Sequence, residues 1–388
     1  MWYPEVSESE RQVIEELQRR TESDVSPTML QDETLFYRFA KARDFNLVSA
    51  EAMLRNNIAW RKEFEADLML TDYKPPEALE KFVATCFVCF DKEGCVVRYI
   101  DYGQTDIKGL LKSCRKSEFI KNLALYVEQD AKLLREQTLQ LGRPVTKAIN
   151  IFNFGNLTLS NATHFASLQA MSLCLKVYAD HYPERLKIAF LINAPVYFST
   201  LLSVFKSALP PPIVQKMICY GEKGWREDLL QLIDADVLPA FLGGKRTDPD
   251  GNPLCKTFIK HGEPVPSSYY LCNHQKTLCS DPDALKLTVI PFSQQVVPVV
   301  VEVAGSFLEW EFQTKSRDIG FAVHFRERSG SPAIEVVPKQ RVDTCYEPEK
   351  RLFKCEKSGI YTLVFDNSYS WIYSKEVYYR ARLTSSDF

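Results

Sequence analysis

The sequence predicts a multidomain protein with an all-α N-terminal part, an α/β middle and an all-β C-terminal sandwich. Three observations carry that expectation. The chain has 388 residues, more than one ordinary core, since domains run to roughly 100–200 residues. Apolar spacing is helical as far as Phe64, and from Phe82 onward strand-like and helical segments alternate, which implies a sheet with crossover helices. Beyond Leu285 apolar and polar residues alternate in several short runs separated by turns, the pattern of an antiparallel sandwich.

The first part, residues 1 to 75, opens on MWYPEVSESERQVIEEL, an acidic helix start and not the charged-then-apolar pattern of a secretory signal. Leu35, Phe36 and Phe39 recur at helical spacing. Asp44-Phe45-Asn46 breaks that run, and Asn46 is placed to cap a second helix with Ala50, Met53, Leu54, Ile58 and Phe64 on one side. Pro75-Pro76 ends this part. In residues 76 to 246, FVATCFVCF, the turn Asp91-Lys92-Glu93-Gly94 and VVRYIDYG read as two strands. A helix follows from Phe119 to Leu141, with Ser117 as its cap and Gly142-Arg143-Pro144 as its stop. Strand KAINIFNF, a helix over 160–180 and strand RLKIAFLINA come next. KRTDPDGNPLC and HGEPVPSSYY are rich in turn residues, so residues 247 to 274 read as a linker. In residues 275 to 388, Leu308, Trp310 and Phe312 alternate with Glu309 and Glu311, and the sets Phe321, Val323, Phe325 and Tyr361, Leu363, Phe365 alternate likewise.

Composition excludes several classes. The net charge is −2 overall, −5 over residues 1 to 75, +3 over 76 to 245 and 0 over 246 to 388, far from the basic balance of a nucleic-acid binder. The longest nearly apolar run, Ile188 to Phe198, contains Asn193 and Pro195 and falls short of the ~18 residues of a membrane span. Trp2 and the closing Ser-Ser-Asp-Phe offer no lipidation signal, so a cytoplasmic protein is expected. Its 11 cysteines, an odd number without a framework, fit a reducing compartment. Cys86 and Cys89 form a CxxC inside a strand-like run, where positions three apart are expected to face opposite ways. Cys272, His274 and Cys279 form the only other Cys/His cluster, with no second pair at zinc-site spacing. Gly243-Gly244-Lys245 lacks the rest of a phosphate loop, and no protease, hydrolase or kinase signature is present. No catalysis, metal or cofactor is expected.

One segment carries a pattern of its own. Phe198, Leu201, Leu202, Phe205 and Leu209 fall at i, i+3, i+4, i+7 and i+11, a single helical stripe. A core-facing helix is one reading. The other is an amphipathic element that opens a cavity and rests on a bilayer, since Val204 lies off the stripe and Pro210-Pro211-Pro212 ends it abruptly. Ile213, Val214, Met217 and Ile218 then surround the single cation Lys216. Lys108, Lys112, Arg115 and Lys116, at i, i+4, i+7 and i+8, would share one face of a short helix, either a solvated face or an anionic-membrane contact.

The stretch HYPERLKIAFLINAPVYFSTLLSVFK, followed by PPPIVQKM and by GEKGWREDLLQLIDADVLPAFLGG, resembles the lipid-binding core of the CRAL-TRIO, or Sec-fourteen-like, family of lipid-transfer proteins. LFYRFAKARDFNLVSAEAMLRNNIAWRKEF resembles that family's helical N-terminal part, TDPDGNPLC is similar to the connector of its animal members, and IYTLVFDNSYSWIYSKEVYY resembles the end of a GOLD domain. The resemblance implies an α/β bowl enclosing one lipid, a gate over residues 196 to 209, and gate or acyl-chain contacts from Phe198, Leu201, Leu202, Phe205, Ile213 and Met217. It also implies a head-group set of Arg43, Glu184 and Lys216. Positions that are polar or basic in phospholipid-binding members are Asp44, Ala148, Asn150 and Ile213 here. Two ligand classes therefore stay open: phosphatidylinositol or another phospholipid, which needs a cation for its phosphate, and a neutral isoprenoid such as tocopherol or squalene, which needs none. The expected partners are the lipid, a transient membrane surface, the Golgi among them, and a protein bound through the GOLD domain. The rival reading is a lipid-sensing adaptor whose GOLD domain recruits trafficking proteins.

Overall fold

Side-chain caps and short breaks divide the N-terminal residues into helices. A computed structural model describes residues 6–198, 202–203, 206, 209–271, 278–316, 318–327, 332–345 and 348–384. Ser7 and Glu10 form a reciprocal capping box on the helix Glu8–Thr21, satisfying donors that a helix start leaves unpaired. Asp44 and Phe45 both take left-handed backbone, φ 49° and 56°, which ends the helix Leu35–Lys41. Asn46 then accepts from the Ser49 N–H at 3.0 Å and starts the helix Leu47–Phe64, as expected. Ile14, Leu17, Leu35, Phe36, Phe39, Ala50, Met53 and Leu54 pack into one buried cluster between these helices.

Strands β1 (Thr85–Phe90), β2 (Val96–Ile100), β3 (Ala148–Asn153), β4 (Leu186–Ile192) and β5 (Met217–Cys219) form one sheet in the order β1-β2-β3-β4-β5. β1 pairs antiparallel with β2 and the other neighbours are parallel, so helices Lys116–Leu141 and Phe165–His181 cross between β2 and β3 and between β3 and β4. The first of these begins at Lys116 with no side-chain cap, three residues earlier than expected and without Ser117 in the capping role. Successive strand residues point to opposite faces. Val97, Tyr99, Ile149, Ile151, Phe190 and Ile192 point to one side, where Trp225, Leu229, Leu238 and Leu242 complete a core. Their neighbours Arg98, Ile100, Asn150, Phe152, Ala189 and Leu191 line a cavity on the other side.

Two expectations are corrected here. A bulge between Phe87 and Cys89 on β1 adds a residue and resets the alternation, so Cys86 and Cys89 pack against the same core. Burial pushes the Cys89 thiol up to about 12, which suits a packed apolar group and not a reactive pair. Residues 247 to 266, expected as linker, belong to the first of two compact units, Met1–Pro266 and Ser267–Phe388. Cys255 and Ile259 lie in the core beneath the sheet, and Asp101 accepts the Gly262 N–H at 3.0 Å while Asp106 accepts that of Val265 at 3.2 Å.

The second unit is an antiparallel sandwich of β6 (Leu285–Val289), β7 (Gln294–Val301), β8 (Phe307–Thr314), β9 (Asp318–Arg326), β10 (Ile334–Asp343), β11 (Glu349–Lys354), β12 (Gly359–Asp366) and β13 (Lys375–Thr384). One sheet runs β10-β9-β12-β7 and the other β11-β8-β13-β6. Leu308, Trp310, Phe312, Phe321, Val323, Phe325, Tyr361, Leu363 and Phe365 form its core, the inward positions read from alternation. This unit fits a GOLD-like domain.

Candidate functional site

The cavity on the open face of the sheet measures about 240 Å³, far beyond the ~10–15 Å³ that one water needs. Its floor is the inward set of β2, β3 and β4. Its walls come from two helices: Phe119, Leu123, Val127 and Leu134 of Lys116–Leu141, and Met171, Cys174, Leu175 and Tyr178 of Phe165–His181. Burial pushes the Cys174 thiol up to about 12, as expected of an uncharged apolar wall. Among the described residues of the stripe, Phe198, Leu202 and Leu209 are buried and line the cavity, together with Ile213 and Met217. Phe198 packs on Phe154 with ring centroids 4.2 Å apart, and the neighbouring Tyr197 hydroxyl donates to the Leu157 carbonyl. Leu201 and Phe205 lie outside the described residues.

At one corner of the site the segment His181-Tyr182-Pro183-Glu184-Arg185 is tied down residue by residue. Asn57 donates to the His181 carbonyl at 3.0 Å, and Trp60 stacks on the imidazole at 4.1 Å; burial holds that imidazole down to about 4. The Tyr182 hydroxyl donates to Glu128 at 2.9 Å, and Glu128 also accepts from Arg61 at 2.7 Å. Arg38 donates to the Pro183 carbonyl at 2.9 Å. Asp32 accepts from both Arg38 and Arg185 at 2.5 Å. Glu184 differs: it takes left-handed backbone, φ 58°, and its carboxylate reaches Lys216 at 3.5 Å. Two of the three expected head-group residues are thus brought together. Arg43 stands exposed at the turn after its helix, where its guanidinium donates to the Ala42 carbonyl at 3.0 Å.

The basic quartet is not on one helix. The helix Ile107–Ser113 carries Lys108 and Lys112 and ends at the extended Cys114, while Arg115 and Lys116 start the next helix. The spacing expected for a shared face therefore does not apply. Lys112 is exposed and the other three are partly covered, with Lys108 bonded to Ser160 at 3.0 Å and Lys116 to Gln169 at 3.4 Å. Asp91, Glu93 and Cys95 lie close enough to share an ion, but Lys187 bonds both carboxylates at 2.7 Å and already supplies them with a cation. Cys272 and His274 lie outside the described residues. In the turn after Leu242, a side chain at Gly244 would collide with the Leu238 carbonyl, so this glycine serves backbone packing.

Sequence reading missed Asp32, Arg38 and Arg185 as an ionic cluster, and Arg98 and Asp130 as a pair inside the cavity. Arg38 gave a signal, since a charged residue stands among Leu35, Phe36 and Phe39 on the buried side of one short helix. Asp130 gave another, as part of a polar stripe at i, i+4 and i+8 with Asn122 and Tyr126.

Comparison with known proteins agrees with this geometry. Residues 81–244 match the CRAL/TRIO domain family. "Protein ctg-1" of Caenorhabditis elegans is 27% identical over 354 residues, 89% of this chain and 90% of that protein. "CRAL-TRIO domain-containing protein T23G5.2" of the same organism is 26% identical over 308 residues, 76% of this chain and 41% of that protein. The crystal structure of Sfh5 superposes with a TM-score of 0.52 at 16% identity, over 69% of this chain and 96% of that one.

Proposed function

Residues 81–244 are a CRAL-TRIO domain, and on that premise we propose that the protein takes one hydrophobic lipid into its sheet-backed cavity and exchanges it at membranes. The lipid leaves unchanged, as cargo. The observation that carries the reading is the cavity itself, a space of about 240 Å³ with mostly apolar walls, since transfer of apolar surface from water into such a site is favourable. No described helix is long and apolar enough to cross a membrane. Native mass spectrometry of the purified chain, with a vesicle-to-vesicle transfer assay in which this is the only protein, tests the reading. Absence of bound lipid together with no transfer would sink it. Lipid retained without transfer would favour the adaptor reading, for which exposed Ile290, Phe292, Trp371 and Ile372 on the sandwich are the supporting observation, Phe292 and Trp371 being in ring contact.

In this reading the segment around Phe198 and Leu202 is the gate, apolar toward the lipid when closed and toward the bilayer when open. Glu184 and Lys216 then form a polar rim where a head group could exchange the protein's own ion pair for bonds to ligand. The phosphate of phosphatidylinositol would pair with Lys216 while the inositol hydroxyls donate to Glu184, each such charge-assisted bond contributing about 1.5–3 kcal/mol. Lys216→Ala is expected to weaken phosphatidylinositol loading roughly ten- to a hundredfold, since ~1.4 kcal/mol is a factor of ten. Loading of tocopherol should hardly change. Equal loss of both ligands would mean that Lys216 supports the fold, and the head-group role would be withdrawn.

The basic residues on the two consecutive helices offer a docking contribution of ~1 kcal/mol for each charge near an anionic surface. Changing Lys108, Lys112, Arg115 and Lys116 together to Gln is expected to lower binding to phosphatidylserine vesicles by at least about tenfold at low salt, and to leave phosphatidylcholine vesicles unaffected. Cosedimentation that is insensitive to both the substitutions and the lipid charge would remove this surface from the docking face.

A further inference from the structure

Asn122, Tyr126 and Asp130 occupy i, i+4 and i+8 of the helix Lys116–Leu141, and all three face the cavity. Asp130 is paired from within the protein. It accepts two hydrogen bonds from Arg98, Nε to Oδ2 at 2.8 Å and Nη2 to Oδ1 at 2.6 Å. Arg98 also donates to the Tyr126 carbonyl at 3.4 Å and lies 5.2 Å from the centre of the Tyr126 ring. The one guanidinium of β2 inside the cavity is thus neutralised by its carboxylate neighbour. Asn122 is different. The residue is 2% exposed; its amide meets the Tyr126 hydroxyl one turn on, while its Oδ1 has no hydrogen-bond partner among the described residues. Folded interiors leave few buried acceptors in that condition, because each costs the hydration it gave up.

We infer that Asn122 Oδ1 is the recognition point for a hydroxyl carried by an otherwise apolar lipid, which donates to it from inside the cavity. The inference rests on the lipid-carrier reading and narrows its ligand class. A hydrocarbon or an ether brings no donor and leaves the acceptor unpaired. A phosphate or carboxylate brings negative charge beside Asp130, whose only described cation is already taken. A neutral alcohol supplies a donor for Oδ1, and the walls at Phe119, Leu123, Met171 and Leu175 suit the rest of such a molecule. Neither the head-group rim at Glu184 and Lys216 nor the gate is involved, so the two polar regions of the site would read different parts of a ligand.

The test uses the delipidated full chain titrated with phytol and with phytol methyl ether, bound copies being counted by native mass spectrometry, and dioleoyl phosphatidylcholine as a third ligand. Wild type is expected to bind the alcohol about ten- to a hundredfold more tightly than the ether. Asn122→Leu should bring the two within about threefold of each other, by loss of affinity for the alcohol and none for the ether. A packing role alone would move both ligands together. Equal affinities in wild type overturn the inference without any variant, and so does a preference that survives Asn122→Leu unchanged. Should Asn122→Leu fail to fold, Asn122→Ala, which adds no bulk, reads the same ratio. Uptake of phosphatidylcholine with neither phytol compound bound overturns this inference and leaves the carrier reading standing. Failure to take up any of the three overturns the carrier reading itself.

Discussion

Replacing Phe198 and Leu202 together by Asp is expected to abolish lipid transfer while the fold survives. Both side chains are nearly inaccessible, at 5% and 6% exposure, and they pack with Phe154, Leu157, Ala162 and Leu191 on the cavity side of the sheet. A carboxylate moved into that setting costs several kcal/mol unless it keeps its water. The segment must then either stay open or empty the cavity of lipid, and since ~1.4 kcal/mol is a factor of ten, transfer should fall by about a hundredfold or more. The main core of the unit lies on the opposite face of the sheet, around Phe190, Trp225 and Leu229, so the circular-dichroism melt should shift only modestly. A collapsed melt would mean that this is an ordinary core helix. Undiminished transfer would eliminate the gate.

The second large effect concerns Asp32. Its side chain is almost wholly covered and accepts from two guanidinium groups, one on the helix Leu35–Lys41 and one at the start of β4's corner. Burial alone would push the Asp32 carboxyl up, but Arg185 and Arg38 together hold it far below the usual carboxylate range. Arg38 is brought down to about 10, by burial first and then by the like charge of Arg185. Removing the one anion leaves two buried cations facing each other, and breaking a buried pair in this way typically costs about 3–5 kcal/mol. Asp32→Ala should therefore destabilise the chain severely, read as a lower urea midpoint.

The pH dependence follows from the direction of the Asp32 shift. Above pH 5 the carboxylate is ionised in both folded and unfolded chains, and its contribution is fully present. Below the unfolded value near 4 the unfolded chain takes up a proton first, so that contribution declines as pH falls toward the folded value, by up to ~1.4 kcal/mol per pH unit. The stability difference between wild type and Asp32→Asn should be constant from pH 7 to 5 and shrink below 4. A difference that stays flat to pH 3 would exclude the ionic account. The consequence for function is geometric: this cluster, with Arg38 on Pro183 and Glu128 on Tyr182, holds the corner from which Glu184 meets Lys216.

Much of this was legible in the residues. Short apolar runs located the segments that became β1 to β4, because such runs are a property of neighbouring residues; which of their side chains face the core and which the cavity came from the structure. Also legible were the Asn46 cap, the sandwich core at Trp310, Phe321 and Phe365, and the apolar stripe from Phe198 to Leu209, of which Phe198, Leu202 and Leu209 are seen to be buried. The specific signature around Tyr182 to Arg185 located the corner of the site, though not what fixes it there.

Tertiary structure alone decided the rest. Asp32 meets Arg185 across 153 residues of chain, and Asp130 meets Arg98 across 32, pairings set by how helices lie on the sheet and invisible to any local window. One inserted residue on β1 turned Cys86 and Cys89 to the same side, and an extended Cys114 separated Lys108 and Lys112 from Arg115 and Lys116. Residues around Cys255 and Ile259 read as linker because turn residues dominate their composition, yet two apolar side chains found a core to enter. Sequence determined periodicity, and so which face of each element is apolar. Which polar groups those faces enclose, and whether each one finds a partner, depended on the packing of elements distant in the chain.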